Sequence, residues 1–360
     1  MHSIRLTEAF PDDKTQSLFR VHTAAASMTP DGTANPTHLK HGDAHLFTFR
    51  DTDEGGTWLT ISRGKDVEAT RLDEKFKRSV RWMQGARLFE HDGKAWASFD
   101  TRAGADNRLF VCEVFPNLGK PVELIYPDRN LVERNWGLFD RDGEIFAVHS
   151  VSPFVLLRRV SHDDIRWEFE LEHTDGAQAI PSMHVGSLPT EFAGDLYFMA
   201  HRTLPLQTDR KFVTLASLCR ISSNSMKLTM YPTPIAHNIA ELVGGTPARP
   251  HVKSSVFYSG LSFDGQMMQL AYGVNDHAAH FAEIQFDIAP SLFVPASQAA
   301  TPDEIRVGKT APRLKPTGPR SSGLGDTIAK VTKAVGIKPC GGCKKRQQKL
   351  NKLLPYKDKT

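Results

Sequence analysis

Cysteine is scarce, with four in 360 residues, so a disulfide scaffold cannot be what holds this chain together. No apolar run approaches the roughly 18 residues that a membrane span needs, and no membrane partner is expected. The opening stretch MHSIRLTEAFPDDKTQ has acids where a secretion signal would have its apolar core. A cytoplasmic or phage- or virion-associated location is therefore expected. Several enzyme motifs are missing too. Gly244-Gly245-Thr246 lacks the following Lys and the strand–helix frame of a phosphate loop. There is no Gly-x-Ser-x-Gly elbow and no His-Glu-x-x-His pair. Acidic residues are scarce at one end only. Residues 306–360 hold 15 Lys/Arg against 2 Asp/Glu, while the rest of the chain has a net charge of −9. An acidic body thus carries a basic tail. With 40% hydrophobic and 24% charged residues, the composition is that of a folded protein.

What is present is a repeat. Alternating aromatic and apolar residues flank a turn at THLKHGDAHLFTFR (37–50), ARLFEHDGKAWASFD (86–100), GLFDRDGEIFAVHS (137–150), LPTEFAGDLYFMAHR (188–202) and GLSFDGQMMQLAYG (260–273). The aligned glycines, Gly42, Gly93, Gly143, Gly194 and Gly265, are 51, 50, 51 and 71 residues apart. Asp-Gly and Gly-Asp favour tight turns because glycine takes positive φ without a steric cost. The runs after each turn alternate as strands do. Further strands are predicted at 108–115, 154–160 and 212–221. About four strands in roughly 50 residues is the signature of propeller blades. A β-sandwich with hairpins at chance spacing is the alternative, against which three nearly equal spacings speak. The fold class expected is all-β, a five-bladed β-propeller over residues 1–292, then a Pro-rich linker at 293–322 and a small helical tail at 323–360.

Short motifs beside the hairpins carry a resemblance. Asn35-Pro36 with Arg50, Gln84-Gly85-Ala86-Arg87-Leu88-Phe89, Glu133-Arg134-Asn135-Trp136 with Ser152-Pro153, and Val185-Gly186-Ser187 with His201 follow in order. Phe257-Tyr258-Ser259-Gly260 and Ala271-Tyr272-Gly273-Val274-Asn275-Asp276 close the series. Over about residues 30–290 the set resembles the five-bladed propellers of the mannoside phosphorylase and glycoside hydrolase type and their glycosyltransferase-associated relatives. The third- and fifth-blade motifs are the specific ones. The resemblance implies a saccharide ligand, with phosphate as a co-substrate if the chain is a phosphorylase. It also implies one departure. The second-blade Asp expected to donate a proton stands here as Gly85, with Gln84 in place of the neighbouring Glu, and glycine cannot donate a proton.

In a propeller the ends of the inner strands converge on one mouth of the channel. The residues expected there are Asn35, Arg50, Arg87, Glu133, Asn135, Trp136, His184, His201, Arg202, Tyr258, Asn275 and Asp276. Planar hydrogen bonders suit sugar hydroxyls, and an aromatic face suits the sugar ring. Glu133 and Asp276 are the carboxylates expected to carry catalysis, with Glu191 as a further substitute. The other members are expected to bind substrate. Blander readings stand beside these. Trp136 is as well placed for blade packing as for a platform, Asn135 and Asp276 for capping turns, and Arg87 with Glu133 for a buried ion pair. His149, His184 and His201 follow three successive blades, an imidazole count that would suit zinc. No sequence motif supports that metal. No cofactor is expected for the propeller.

In the tail, Asp326 reads as an N-cap for a helix ending at Gly336. Cys340-Gly341-Gly342-Cys343 follows, beside Lys344, Lys345 and Arg346. It resembles short Cys-x-x-Cys tails appended to varied bacterial and phage proteins. Two thiolates make half a zinc site, so closing one needs another chain. Tyr356 is the tail's one aromatic, and a docking role with a protein partner fits better than nucleic-acid binding. Cys112 and Cys219 read as inert core residues. Two functional readings follow. One is a carbohydrate-handling propeller, either a hydrolase or phosphorylase with a relocated acid or a lectin-like binder. The other is a phage or surface-assembly scaffold whose tail is the active element.

Overall fold

The computed structural model describes residues 33–51, 55–80, 82–101, 107–130, 133–176, 180–205, 212–232, 234, 256–274 and 278–299, with short strands at 3–5, 22–23 and 304–306. The chain divides into two compact units, 1–307 and 308–360. The second unit, with the predicted tail helix, Cys340 and Cys343, lies outside the described residues.

The first unit is a β-propeller built of antiparallel meanders. Two short strands come first, β1 (Ser3–Arg5) and β2 (His22–Thr23). Sheet one contains β3 (Thr33–His41), β4 (Ala44–Asp51), β5 (Thr57–Arg63) and β6 (Asp66–Arg71), after which a one-turn helix, α1 (Leu72–Lys75), leads onward. Sheet two contains β7 (Met83–His91), β8 (Lys94–Thr101), β9 (Leu109–Phe115) and β10 (Val122–Ile125). Sheet three contains β11 (Gly137–Arg141), β12 (Glu144–Val151), β13 (Phe154–His162) and β14 (Arg166–Thr174). The outer strands β10 and β14 pair in parallel, Glu123 opposite Arg166, and join sheets two and three edge to edge. In sheet four the inner position is shared by β15 (Met183–Val185) and β16 (Thr190–Phe192), both paired with β17 (Asp195–Pro205), followed by β18 (Phe212–Ile221) and β19 (Leu228–Met230). Sheet five has β20 (Val256–Asp264), β21 (Met267–Val274) and β22 (Ala278–Gln285), and takes β2 as its outermost strand. β23 (Glu304–Arg306) pairs in parallel with β1.

Each predicted hairpin is present, and the five aligned glycines all have positive φ, between 56° and 82°. The inner strands form a ring. β3 packs on β7, β7 on β11, β12 on β15, β17 on β20, and β20 returns to β3. Apolar side chains fill four layers between successive sheets. Leu46 and Leu59 meet Leu88 and Phe99 between sheets one and two, and Val111 and Leu124 meet Leu138 and Trp167 between two and three. Phe154 meets Phe198 between three and four, and Leu218 meets Leu270 between four and five. Each such side chain contributes about 1.5–3 kcal/mol by leaving water, which is why strands here are apolar on both faces rather than on alternate residues. Cys112 and Cys219 belong to these layers, and burial pushes both thiols upward, so they stay protonated. The packed body continues past Leu292. Phe293 is buried against sheets four and five, and Val294 bridges Met230.

Candidate functional site

The inner strands share a local deformation. The ladder of β3 slips between Ala34 and Thr37, and that of β7 between Gln84 and Arg87. Asn35, Gly85 and Asn135, each 50 residues from the next, all take positive φ, at 52°, 65° and 60°. Asparagine tolerates that conformation better than most side chains, so the same kink recurs in three sheets and aims this end of each strand at the axis.

A cavity of about 600 Å³ opens at this end. Glu133, Arg134 and Asn135 line it from the approach to β11, His149, Ser150 and Ser152 from β12 and its turn, and His184 and His201 from sheet four. Glu133 is buried and accepts three hydrogen bonds. Its Oε2 accepts the Trp136 indole N–H at 2.8 Å, and its Oε1 accepts from His149 Nε2 at 3.1 Å and from the Asn130 backbone N–H. Burial alone would raise the Glu133 pKa, but the bonds from His149 and Trp136 outweigh it and hold the group below the usual carboxylate range. Glu133 is thus a carboxylate, suited to accepting a proton or a hydroxyl hydrogen bond.

Arg87 lies just behind the wall, 3% exposed. Its Nη2 donates to Asn135 Oδ1 at 2.6 Å, its guanidinium lies 5.8 Å from the Phe257 ring centre, and its buried Nε has no hydrogen-bond partner among the described residues. Burial lowers its pKa to about 10, with Asp100 acting in the opposite sense. His184 and His201 face each other across the β15–β17 ladder with ring centres 5.7 Å apart. His201 packs its ring edge-on to Phe257, and its Nδ1 is buried without a partner among the described residues. Burial, reinforced by His184 and Arg87, pushes the His201 pKa down to about 3. Orphaned buried nitrogens are costly, about 1–3 kcal/mol each, and of these two the one on His201 belongs to a residue of the cavity wall.

The remaining expected residues are distributed differently. Trp136 is 2% exposed and packed among Tyr126, His149 and Phe169, so it is a core residue that fixes Glu133 through its indole N–H. Tyr258 is buried against Tyr272 in the layer between sheets four and five. Asn35 and Arg50 are half-buried at the same end of sheet one, Arg50 opposite Ala34, and neither lines the cavity. Arg202 is buried on β17, opposite Met183, and does not line the cavity. The ion pair between Arg87 and Glu133 does not form, since each has other partners. Asn275 and Asp276 lie outside the described residues. Glu191 lines a second cavity at the opposite end.

His149, His184 and His201 share the first cavity but are not gathered to metal-ligand distances. Among the described residues the one cluster of that kind is His91, Asp92 and Asp140, in the second cavity of about 620 Å³. There Arg159 Nη2 donates to His91 Nε2 at 3.2 Å, which leaves Nδ1–H to donate to Asp140. A guanidinium already sits where a metal would have to bind. Sequence reasoning missed Asp100. It lies on β8 opposite Gln84, whose Nε2 donates to Asp100 Oδ1 at 2.6 Å. Burial raises the Asp100 pKa, against the opposing influence of Gln84, Arg87 and Arg134.

No family model and no curated protein matches the sequence. Solved structures do match in fold. A glycosyl hydrolase from Bacteroides ovatus is 13% identical with a TM-score of 0.53, over 82% of this chain and 92% of its own. A structure described under the GH130 family of mannoside phosphorylases, and among its glycoside hydrolases that target β-1,2 mannosidic linkages in Candida mannan, is also 13% identical. Its TM-score is 0.54, over 82% of this chain and all of its own. The fold and the site together define a β-propeller of the kind found in these glycoside hydrolases, with a polar cavity at one end of its axis.

Proposed function

We propose that this chain is a carbohydrate-handling propeller that holds a saccharide in the cavity bordered by Glu133, Asn135, His184 and His201. The observation that carries the reading is the imbalance of that cavity. Glu133 is held as a carboxylate acceptor, Arg134, Ser150 and Ser152 offer donors, and the buried His201 Nδ1 on the wall has no partner among the described residues, nor does the Arg87 Nε behind Asn135. Sugar hydroxyls donate and accept at once and so meet both needs. The fold shared with glycoside hydrolases points the same way. Arg87 and Arg134 also suit an oxyanion, which keeps inorganic phosphate as a co-substrate within the proposal.

The test is calorimetric titration of a panel of β-linked mannosides and other oligosaccharides, with and without phosphate. Binding that weakens at least about tenfold in Glu133→Gln, about 1.4 kcal/mol, is the expected result. Binding unchanged in that variant, or no binding by the wild-type protein, overturns the reading.

A further inference from the structure

Glu133 and Asp100 are the two buried carboxylates among the described residues, each 4% exposed. Both belong to the same end of the propeller axis, yet their surroundings differ. Glu133 accepts from three donors. Asp100 accepts one hydrogen bond on Oδ1, and its Oδ2 accepts none among the described residues. That oxygen faces a space left by Gly85. A Cβ built on Gly85 would meet the Oδ2 of Asp100 at 3.6 Å and, chain neighbours aside, no other atom of the described residues within 4 Å. At the equivalent kinks of sheets one and three the residue is asparagine, so the side chain missing from sheet two is what leaves the opening. Arg50, Asp100 and Ser150 are 50 residues apart on the second strand of successive sheets, and Ser150 lines the cavity. Arg134 and Asn135, both in the cavity wall, connect to Asp100 by charge and through Arg87.

Asp100 does not itself line the cavity; we propose that it is the proton donor of a glycosidic-bond cleavage at the opening beside Gly85, at the same end of the axis, an assignment that rests on the saccharide-binding reading. As the bond between C1 and the bridging oxygen breaks, the electron pair goes to oxygen, and that oxygen takes the Asp100 carboxyl proton. C1 gains a bond to an oxygen of water or of inorganic phosphate. With water, the displaced proton passes to the Glu133 carboxylate, and solvent reprotonates Asp100. Burial raises the pKa of Asp100 while hydrogen bonds lower that of Glu133, and two carboxyls pushed apart in this way divide into an acid and a base.

The experiment compares full-length wild type, Asp100→Asn and the double variant Gly85→Asp/Asp100→Asn on β-linked mannobioses and on 2,4-dinitrophenyl β-mannoside. Product release and calorimetric binding are both measured. We expect Asp100→Asn to lower kcat on the disaccharides by about 10²–10⁴-fold, with affinity changed less than about threefold. On the activated aryl mannoside, whose leaving group needs no proton, it should cost far less. The alkaline limb of the pH–rate profile should vanish with it. A carboxyl carried by residue 85 projects into the same opening, so the double variant should regain at least about tenfold. Wild type that binds but releases nothing overturns the assignment and leaves the binding reading standing. Wild type that neither binds nor releases overturns both. A turnover that Asp100→Asn leaves intact, or that falls equally on both substrates without rescue, also overturns the assignment.

Discussion

The two ends of the propeller axis have cavities of nearly equal size and opposite chemistry. At the hairpin-tip end, polar groups are matched from sheet to sheet. His41 bonds Glu90 at 2.6 Å and His91 bonds Asp140, each across 49 residues of sequence. Arg141 then reaches the carbonyl of Ser223 at 2.9 Å, and Thr190 reaches that of Leu261 at 2.9 Å. These are latches between neighbouring sheets, repeated because the sheets repeat. At the kinked end the repeat is broken on purpose of chemistry: Asn35, Gly85 and Asn135 share a backbone but not a side chain, and Arg50, Asp100 and Ser150 differ in charge. The polar pairs at the tips recur from sheet to sheet and hold the ring together, whereas the side chains at the kinked end change from one sheet to the next.

The largest effect expected from breaking that contrast is on stability at the latch end. Asp140→Ala removes the acceptor of buried His91 and a counter-charge of Arg159, and should cost about 2 kcal/mol in chemical denaturation without weakening saccharide binding. The orphaned side responds in the opposite sense. His201→Phe removes an unpaired buried nitrogen and should stabilise the protein by about 1 kcal/mol at neutral pH while weakening the saccharide complex. It also bears on pH. His201 titrates near 6.5 when unfolded and about 3 when folded, so between those values the unfolded chain binds more protons. Its contribution is intact above 6.5 and is lost as the pH falls from there towards 3. Denaturation midpoints measured across that window should fall less steeply in His201→Phe than in wild type. The smallest effect is expected at the kink. Gly85→Ala forces a side chain into φ of 65° and should cost about 1 kcal/mol, visible as a lower thermal midpoint.

Much of this was legible in the residues. Turn glycines at near-constant spacing locate every inner hairpin, because a tight turn leaves its demand in one or two residue types. The cavity wall was half legible. Glu133, Asn135, His184 and His201 stand next to strand ends, where motif and position coincide. Trp136 was open to two readings because an indole serves equally as packing and as platform, and only its 2% exposure separates them. Asp100 was hidden by register. The ladder of β7 slips by the two residues Gly85 and Ala86 before it meets β8, and a single strand's alternation cannot show where its partner slips. In SFDT an aspartate reads as an ordinary strand end.

Calorimetric saccharide titration of Glu133→Gln and Asp140→Ala, side by side with wild type, tests the division between the two ends most directly. The account predicts that Glu133→Gln loses affinity by at least about tenfold while Asp140→Ala, though less stable, binds like wild type. Affinity lost in a folded Asp140→Ala and kept in Glu133→Gln would contradict it.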